Sequence, residues 1–205
     1  MIDFWNQRYS DPNFAYGKLP NEFFKEQLQL LPPNSKILFP AEGEGRNAVY
    51  AATQGHLVRA FDQSEQGKIK ALNLAEELGV SIQYDVCSAT SVEYSVHQFD
   101  AIVLIYAHFH QSQRNELHQR FLPWLKPNGF IILEAFSQNH PPFQQEYPNI
   151  GGPSSPELLY SEEIINLDFP NFEILTLKTE IIELQEGNCH SGKGSVVRFV
   201  GKLPS

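Results

Sequence analysis

The sequence is short of the features that mark several functional classes. Its two cysteines, Cys87 and Cys189, form no C-x-x-C pair, which excludes a disulfide framework and a cysteine-built zinc site and leaves two ordinary thiols. No run of lysine or arginine occurs: 15 basic side chains stand against 24 acidic ones, with a formal net charge of −9 and a pI of about 5.2. Such a surface repels polyanions and offers no stripe for a phosphate backbone, so no nucleic-acid partner is expected. No apolar stretch approaches the ~20 residues of a membrane helix. The opening Met1-Ile2-Asp3-Phe4-Trp5 has neither the basic start nor the apolar run of a signal peptide. The expectation is a cytoplasmic protein with no membrane partner. Internal repeats and low-complexity tracts are missing as well.

What remains is the composition of one folded domain: 205 residues, 41% hydrophobic and 19% charged. Residues 1–34 are rich in aromatics, Asn and Pro and read as an arm plus one helix around Phe23–Leu31. Lys36–Phe39 reads as a buried strand running through Ala41-Glu42-Gly43-Glu44-Gly45 into a helix over Asn47–Gln54. A second unit follows, strand Leu57–Phe61 ending at Asp62 and then a helix to Leu78. A third strand, Ser81–Tyr84, ends at Asp85. A fourth, Ala101–Tyr106, is apolar on both faces, as a central parallel strand is. Gln111–Leu125 suits a helix, Lys126-Pro127-Asn128-Gly129 a turn, and Phe130–Glu134 a fifth strand. Ser137–Pro156 holds five prolines and two glycines without periodicity and reads as a lid loop. A helix near Ser161–Leu167 and strands Phe172–Leu184 and Val196–Val200 close the chain; Gln185–Gly194 is too short for a crossover helix, so the last pair is antiparallel. The expected fold is α/β, a doubly wound Rossmann-like sheet in three α/β/α layers. Within one domain the divisions are 1–34 (covering arm and helix), 35–136 (cofactor-binding core), 137–160 (substrate lid) and 161–205 (helix and closing hairpin).

A strand-to-helix turn that brings backbone close to a ligand needs residues without a bulky Cβ, and Gly43 and Gly45 meet that need. Gly43-x-Gly45-x-x-Ala48 alone fits a dinucleotide fingerprint as well as a methyl-donor site. Asp62, at the next strand's end, suits the two hydroxyls of a ribose, and Asp85, at the third, the exocyclic amine of an adenine. Each carboxylate has a plain alternative as a helix cap or turn residue.

With these residues in view, the chain resembles the class I S-adenosylmethionine-dependent methyltransferases, and within them the tellurite-resistance and thiopurine S-methyltransferase-like branch. The resemblance rests on Phe4-Trp5-Asn6-Gln7-Arg8-Tyr9, Tyr16-Gly17, Pro20-Asn21, Glu42-Gly43-Glu44-Gly45-Arg46-Asn47-Ala48-Val49-Tyr50, Ala60-Phe61-Asp62-Gln63-Ser64 and Leu125–Gly129, with Glu186-Gly187, His190 and Val197-Arg198 near the end. It implies a seven-stranded sheet with an antiparallel last strand. It implies S-adenosylmethionine as cofactor, S-adenosylhomocysteine as product and a small-molecule methyl acceptor, a thiol or chalcogen first. In this scheme Gly43 and Gly45 pass beneath the methionine part, Asp62 holds the ribose, Asp85 and Val86 hold the adenine, and Ala41, Asn47 and Gln63 also border the cofactor. Tyr106 and Ala107 flank the sulfonium, while Trp5, Arg8, Tyr16 and Gly17 fold over the cofactor, Arg8 facing its carboxylate. Phe39, Pro40 and Ala41 depart from the superfamily's acidic residue and extra glycine, so Glu42 is the candidate for the cofactor's amino end.

Methyl transfer from a sulfonium is an in-line displacement, for which a protein supplies alignment, exclusion of water and sometimes a base. Tyr106 and His108 are the catalytic candidates, and His108, His190 and Phe136 the acceptor-side residues. The spacing of His108, His110 and His118 fits no familiar metal site, so none is expected. Two rival readings stay open on the residues, a nicotinamide-dependent oxidoreductase and a binding module without turnover.

Overall fold

The computed structural model describes residues 2–205. Seven strands form one sheet: β1 (Lys36–Pro40), β2 (Leu57–Asp62), β3 (Gln83–Val86), β4 (Phe99–Ile105), β5 (Leu125–Phe136), β6 (Glu173–Glu186) and β7 (His190–Lys202). Their order is β3-β2-β1-β4-β5-β7-β6. The first five strands run parallel, and β7 is antiparallel to both neighbours. This is the Rossmann-like sheet with the reversed final strand that the chain's order of elements implies.

Alternation along the buried strands divides the core. Ile37, Phe39, Ala101 and Val103 face one side with Phe23 and Phe24 of α2 (Glu22–Gln27) and Ala48 and Ala51 of α3 (Arg46–Thr53). Leu38, Ile102, Leu104, Ile131 and Leu133 face the other side. There they meet Leu117 and Phe121 of α5 (Gln111–Phe121) and Ile165 of α7 (Glu162–Asp168). α4 (Glu65–Glu77) follows β2 and is capped by Ser64, whose hydroxyl accepts the Gly67 amide. The sheet edge at β6 would offer unpaired amides to another strand. Glu162, at the start of α7, accepts the Thr179 amide at 2.6 Å and blunts that edge.

Several boundaries differ from the sequence reading, each for a local reason. The arm itself begins with a helix, α1 (Ile2–Tyr9), packed along α4. Lys126–Gly129 is not a turn between elements but a bulge within β5, where Asn128 takes φ 63° and Phe130 returns to register with Ala101. The segment read as a structureless lid contains α6 (Pro141–Glu146), with prolines in its first turn where no amide is needed. The closing hairpin turns at Gly187 (φ 60°), well before the expected loop ends, so His190 lies in β7 and pairs with Glu186. The third strand, β3, starts at Gln83 and carries both Asp85 and Val86 at its end.

Gly45 sits at φ 85° between β1 and α3, and a Cβ built on it would stand 2.4 Å from the Cβ of Ala71 in α4. Both the backbone conformation and the close packing of α3 on α4 demand glycine. Gly45→Ala is expected to lower stability by at least ~2 kcal/mol, the sum of left-handed strain and overpacking; a denaturant midpoint equal to that of the unaltered protein contradicts this account.

Candidate functional site

The strand ends β1, β2 and β4 open on one crevice, and the backbone is strained on two sides of it. Ala41, after β1, has φ 53°, and Tyr106, after β4, has φ 53°. Left-handed non-glycine residues cost ~1–2 kcal/mol each and gather where structure is held for function. Ala41 takes up the backbone shape that a glycine at this turn would supply without strain.

The turn is wired from both ends. Glu42 aims one carboxylate oxygen at the amides of Asn47 and Ala48, at 2.9 and 2.8 Å, and so caps α3. Burial pushes its pKa up to about 7, although those amides and Arg46 favour the charged form. Asp62 accepts the amides of Gly43 (3.1 Å) and Ser64 (2.8 Å), one on each oxygen. Burial raises its pKa against these bonds. Gly43 is bare because Tyr9 lies on it: a Cβ there would be 2.5 Å from the tyrosine hydroxyl. Tyr84, beneath, donates to the Gly43 carbonyl at 2.6 Å. The two glycines thus serve close approach of protein to protein as well as the turn itself.

The arm closes over this turn. Trp5 stacks on Tyr9 with ring centroids 5.4 Å apart. Asn6 accepts from the Ser64 hydroxyl at 2.7 Å. Arg8 donates to the Tyr16 hydroxyl at 3.2 Å and lies over the Phe4 ring. Asn47 accepts the Asn21 amide, and Arg46 donates to the Tyr16 carbonyl, so both tie the turn to the arm. Gly17 at φ 72° lets the arm pass against Gly187 of the hairpin.

The far side of the crevice is aromatic. Tyr106 stacks on Phe136 at 4.8 Å, and His190 meets both edge-on at 4.7 and 5.3 Å, with Tyr16 at 4.5 Å. The Tyr106 hydroxyl is buried without a hydrogen-bond partner. His190 Nδ1 donates to Glu186 at 2.9 Å, which leaves Nε2 as the unprotonated lone pair, and burial lowers its pKa despite that carboxylate. Burial also acts to raise Glu186, but Arg46 at 2.8 Å and His190 more than offset it and hold it down at about 2. Behind them Glu134, fully buried, accepts from Asn21 at 2.6 Å and from Arg198. Sequence reasoning missed Tyr9, Tyr84 and Glu134 as site residues; their only signal is position beside residues already chosen.

Asp85 lies in β3, where its Oδ2 accepts from Arg59 at 2.9 Å and from the Tyr94 hydroxyl at 3.0 Å while Oδ1 stays available. One site expectation is corrected. His108 is not an available base. Its Nδ1 donates to the Leu158 carbonyl at 2.8 Å, its Nε2 accepts the Phe136 amide, and burial lowers its pKa to about 4. His110 and His118 diverge to Glu157 and Asp168. Gln63 is half-buried and Val86 exposed beside Asp62, and Ala107 is buried with its carbonyl bound by Tyr160.

The residues fit a nucleoside cofactor carrying an amino acid. A carboxylate has about four acceptor positions, and Asp62 commits two to amides. Arg8 is only half-buried and has N–H groups beyond the one given to Tyr16. Residues 37–129, from β1 to the bulge of β5, match the family described as a methyltransferase domain. A phosphoethanolamine N-methyltransferase of Arabidopsis thaliana is 29% identical over 110 residues, 53% of this chain. The chain spans only about a fifth (22%) of that relative's length. Among solved structures, a protein studied for the conversion of a disulfide bond into a thioacetal group during echinomycin biosynthesis has TM-score 0.76 at 14% identity, covering 100% of this chain and 92% of its own. TehB of Haemophilus influenzae has TM-score 0.71 at 14% identity (98% and 66%). A Burkholderia thailandensis 1,6-didemethyltoxoflavin-N1-methyltransferase, solved with S-adenosylhomocysteine, has 0.70 at 15% (100% and 87%). These likenesses compare residues 37–129 with a methyltransferase domain and the whole chain with the fold of solved methyltransferases.

The raised pKa of Glu42 carries a sign. Its folded value lies above the ordinary 4.5, so the carboxyl's contribution is intact below that value and is lost as pH rises through about 7. Glu42→Gln keeps an acceptor for both amides. It is expected to gain stability relative to the unaltered protein at pH 8.5 and to lose that advantage at pH 4; thermal midpoints at the two pH values that differ by the same amount refute the assignment.

Proposed function

We propose that this chain is an S-adenosylmethionine-dependent methyltransferase that passes the methyl group to a small neutral nucleophile, with a thiol or chalcogen the first class and a nitrogen or oxygen acceptor the second. The observation that carries the reading is the His190–Glu186 pair beside the Tyr106–Phe136 wall. An imidazole held neutral, with Nδ1–H turned to a carboxylate, presents Nε2 to accept a proton. When bound, S-adenosylmethionine supplies an electrophilic methyl on sulfonium sulfur. Asp62 would hold the ribose hydroxyls and Arg8 the carboxylate, while Trp5, Tyr16 and Gly17 cover them and exclude water.

His190 Nε2 would take the thiol proton of an acceptor whose sulfur is aligned for methyl transfer against the Tyr106–Phe136 wall. Both buried anions nearby are already neutralised, Glu186 by Arg46 and Glu134 by Arg198, so the pocket needs no cationic acceptor. A soft, aromatic wall suits a polarisable sulfur. The echinomycin-pathway likeness, a sulfur reaction, and the TehB likeness support placing the chain in the tellurite-resistance and thiopurine-like branch. The phosphoethanolamine relative keeps an amine acceptor as the second reading.

Titration calorimetry with S-adenosylmethionine and with NAD(H) tests the donor, and Asp62→Asn is expected to weaken methyl-donor binding by about tenfold or more, since hydrogen bonds to charged groups are worth ~1.5–3 kcal/mol. Preference for NAD(H), or equal affinity in the variant, overturns the site. For the acceptor, His190→Gln is expected to cut kcat on small thiols while leaving donor affinity unchanged; a full rate in the variant removes the histidine from the chemistry.

A further inference from the structure

The lid over the aromatic wall is held by two imidazoles used in the same unusual way. His108 donates from Nδ1 to the Leu158 carbonyl of the lid at 2.8 Å and accepts the Phe136 amide of β5 on Nε2 at 3.4 Å. His140 donates from Nε2 to the Gly151 carbonyl at 3.1 Å and accepts the Ser195 amide of β7 on Nδ1 at 3.4 Å. Each ring therefore bridges one lid carbonyl and one sheet amide, and each can do so only when uncharged, because a second proton turns its accepting nitrogen into a donor aimed at an N–H. Both rings stack on Phe136, with centroids at 5.8 and 4.0 Å. What they hold matters to the acceptor: Gly151 and Gly152, at φ 71° and 85°, lie so close that a Cβ on Gly151 would be 3.2 Å from His190 Nε2.

We infer that His108 and His140 are positioning residues that clamp the lid over the acceptor site, and that protonating them releases it. This rests on the proposed acceptor site only for its purpose; the clamp is a property of the chain. The groups facing His108 are His190, His140, Arg114 and the Tyr106 and Tyr160 rings, and His140 faces His190. None is a carboxylate that would hold a charged ring in place. Burial lowers both rings below the ordinary imidazole 6.5, His108 to about 4. A group whose closed-state value is depressed favours closure above its open-state value, so closure weakens as pH falls from 6.5 toward 4. On the lid's other flank His110 bonds to the Glu157 carboxylate.

Hydrogen exchange of residues 141–157 in the ligand-free protein, corrected for intrinsic rate, tests this without reference to catalysis. Protection is expected to fall at least tenfold between pH 8 and pH 5, while β1 and β4 stay protected. His140→Phe and His108→Phe keep the stacking on Phe136; each is expected to show the acid-state exchange at pH 8 and a flattened pH dependence. Lid protection that does not change with pH, or a pH dependence retained in both variants, overturns the clamp. Should a variant fail to fold, histidine Cε1–H titration of the unaltered protein decides: protonation of both rings with no change in lid exchange refutes it. Failure of the methyltransferase reading would leave these exchange results intact.

Discussion

Two buried carboxylates and the groups that neutralise them hold the site together. Glu186 takes Arg46 and His190, Glu134 takes Arg198, and the Asn21 amide group reaches both acids, at 3.2 and 2.6 Å. These six residues come from the arm, α3, β5 and both strands of the hairpin. Removing one partner from such a set leaves an unpaired charge in the interior at a cost of ~3–5 kcal/mol. The arrangement therefore fixes which elements meet rather than simply adding stability. Asn21 is the hinge of it: its amide proton goes to Asn47 and its side-chain oxygen caps α2, so one residue joins arm, helix and sheet.

Burial, more than residue type, sorts the histidines. His190 and His108 both lie against the same phenylalanine, with centroids 5.3 and 5.8 Å from it, and both are kept neutral. His190 faces a carboxylate on one nitrogen and keeps the other free. His108 spends both on backbone. Chemistry follows from that difference.

Much of this was legible in the sequence where local rules act alone. Alternating apolar runs marked the strands, Gly43 and Gly45 marked the turn, and the short link after β6 marked the antiparallel closure. What was not legible depends on distant partners. Nothing local discloses Arg59 and Tyr94 as the neighbours of Asp85. The hairpin's true length was hidden because β6 and β7 bury few alternating residues near their tip. His108 looked available because a loop position carries no sign that Leu158, fifty residues later, returns to meet it.

The tip of the β6–β7 hairpin touches both covers of the crevice. The Cys189 amide bonds to Ala15 of the arm, the Ser191 amide bonds to Asn149 of the lid, and His190 stands between them. A two-stranded ribbon in that place would link the covers, so that ordering one would lower the entropy still to be lost by the other. Donor and acceptor would then bind with mutual reinforcement although they touch different walls, and occupancy of the first would set how readily the second is enclosed.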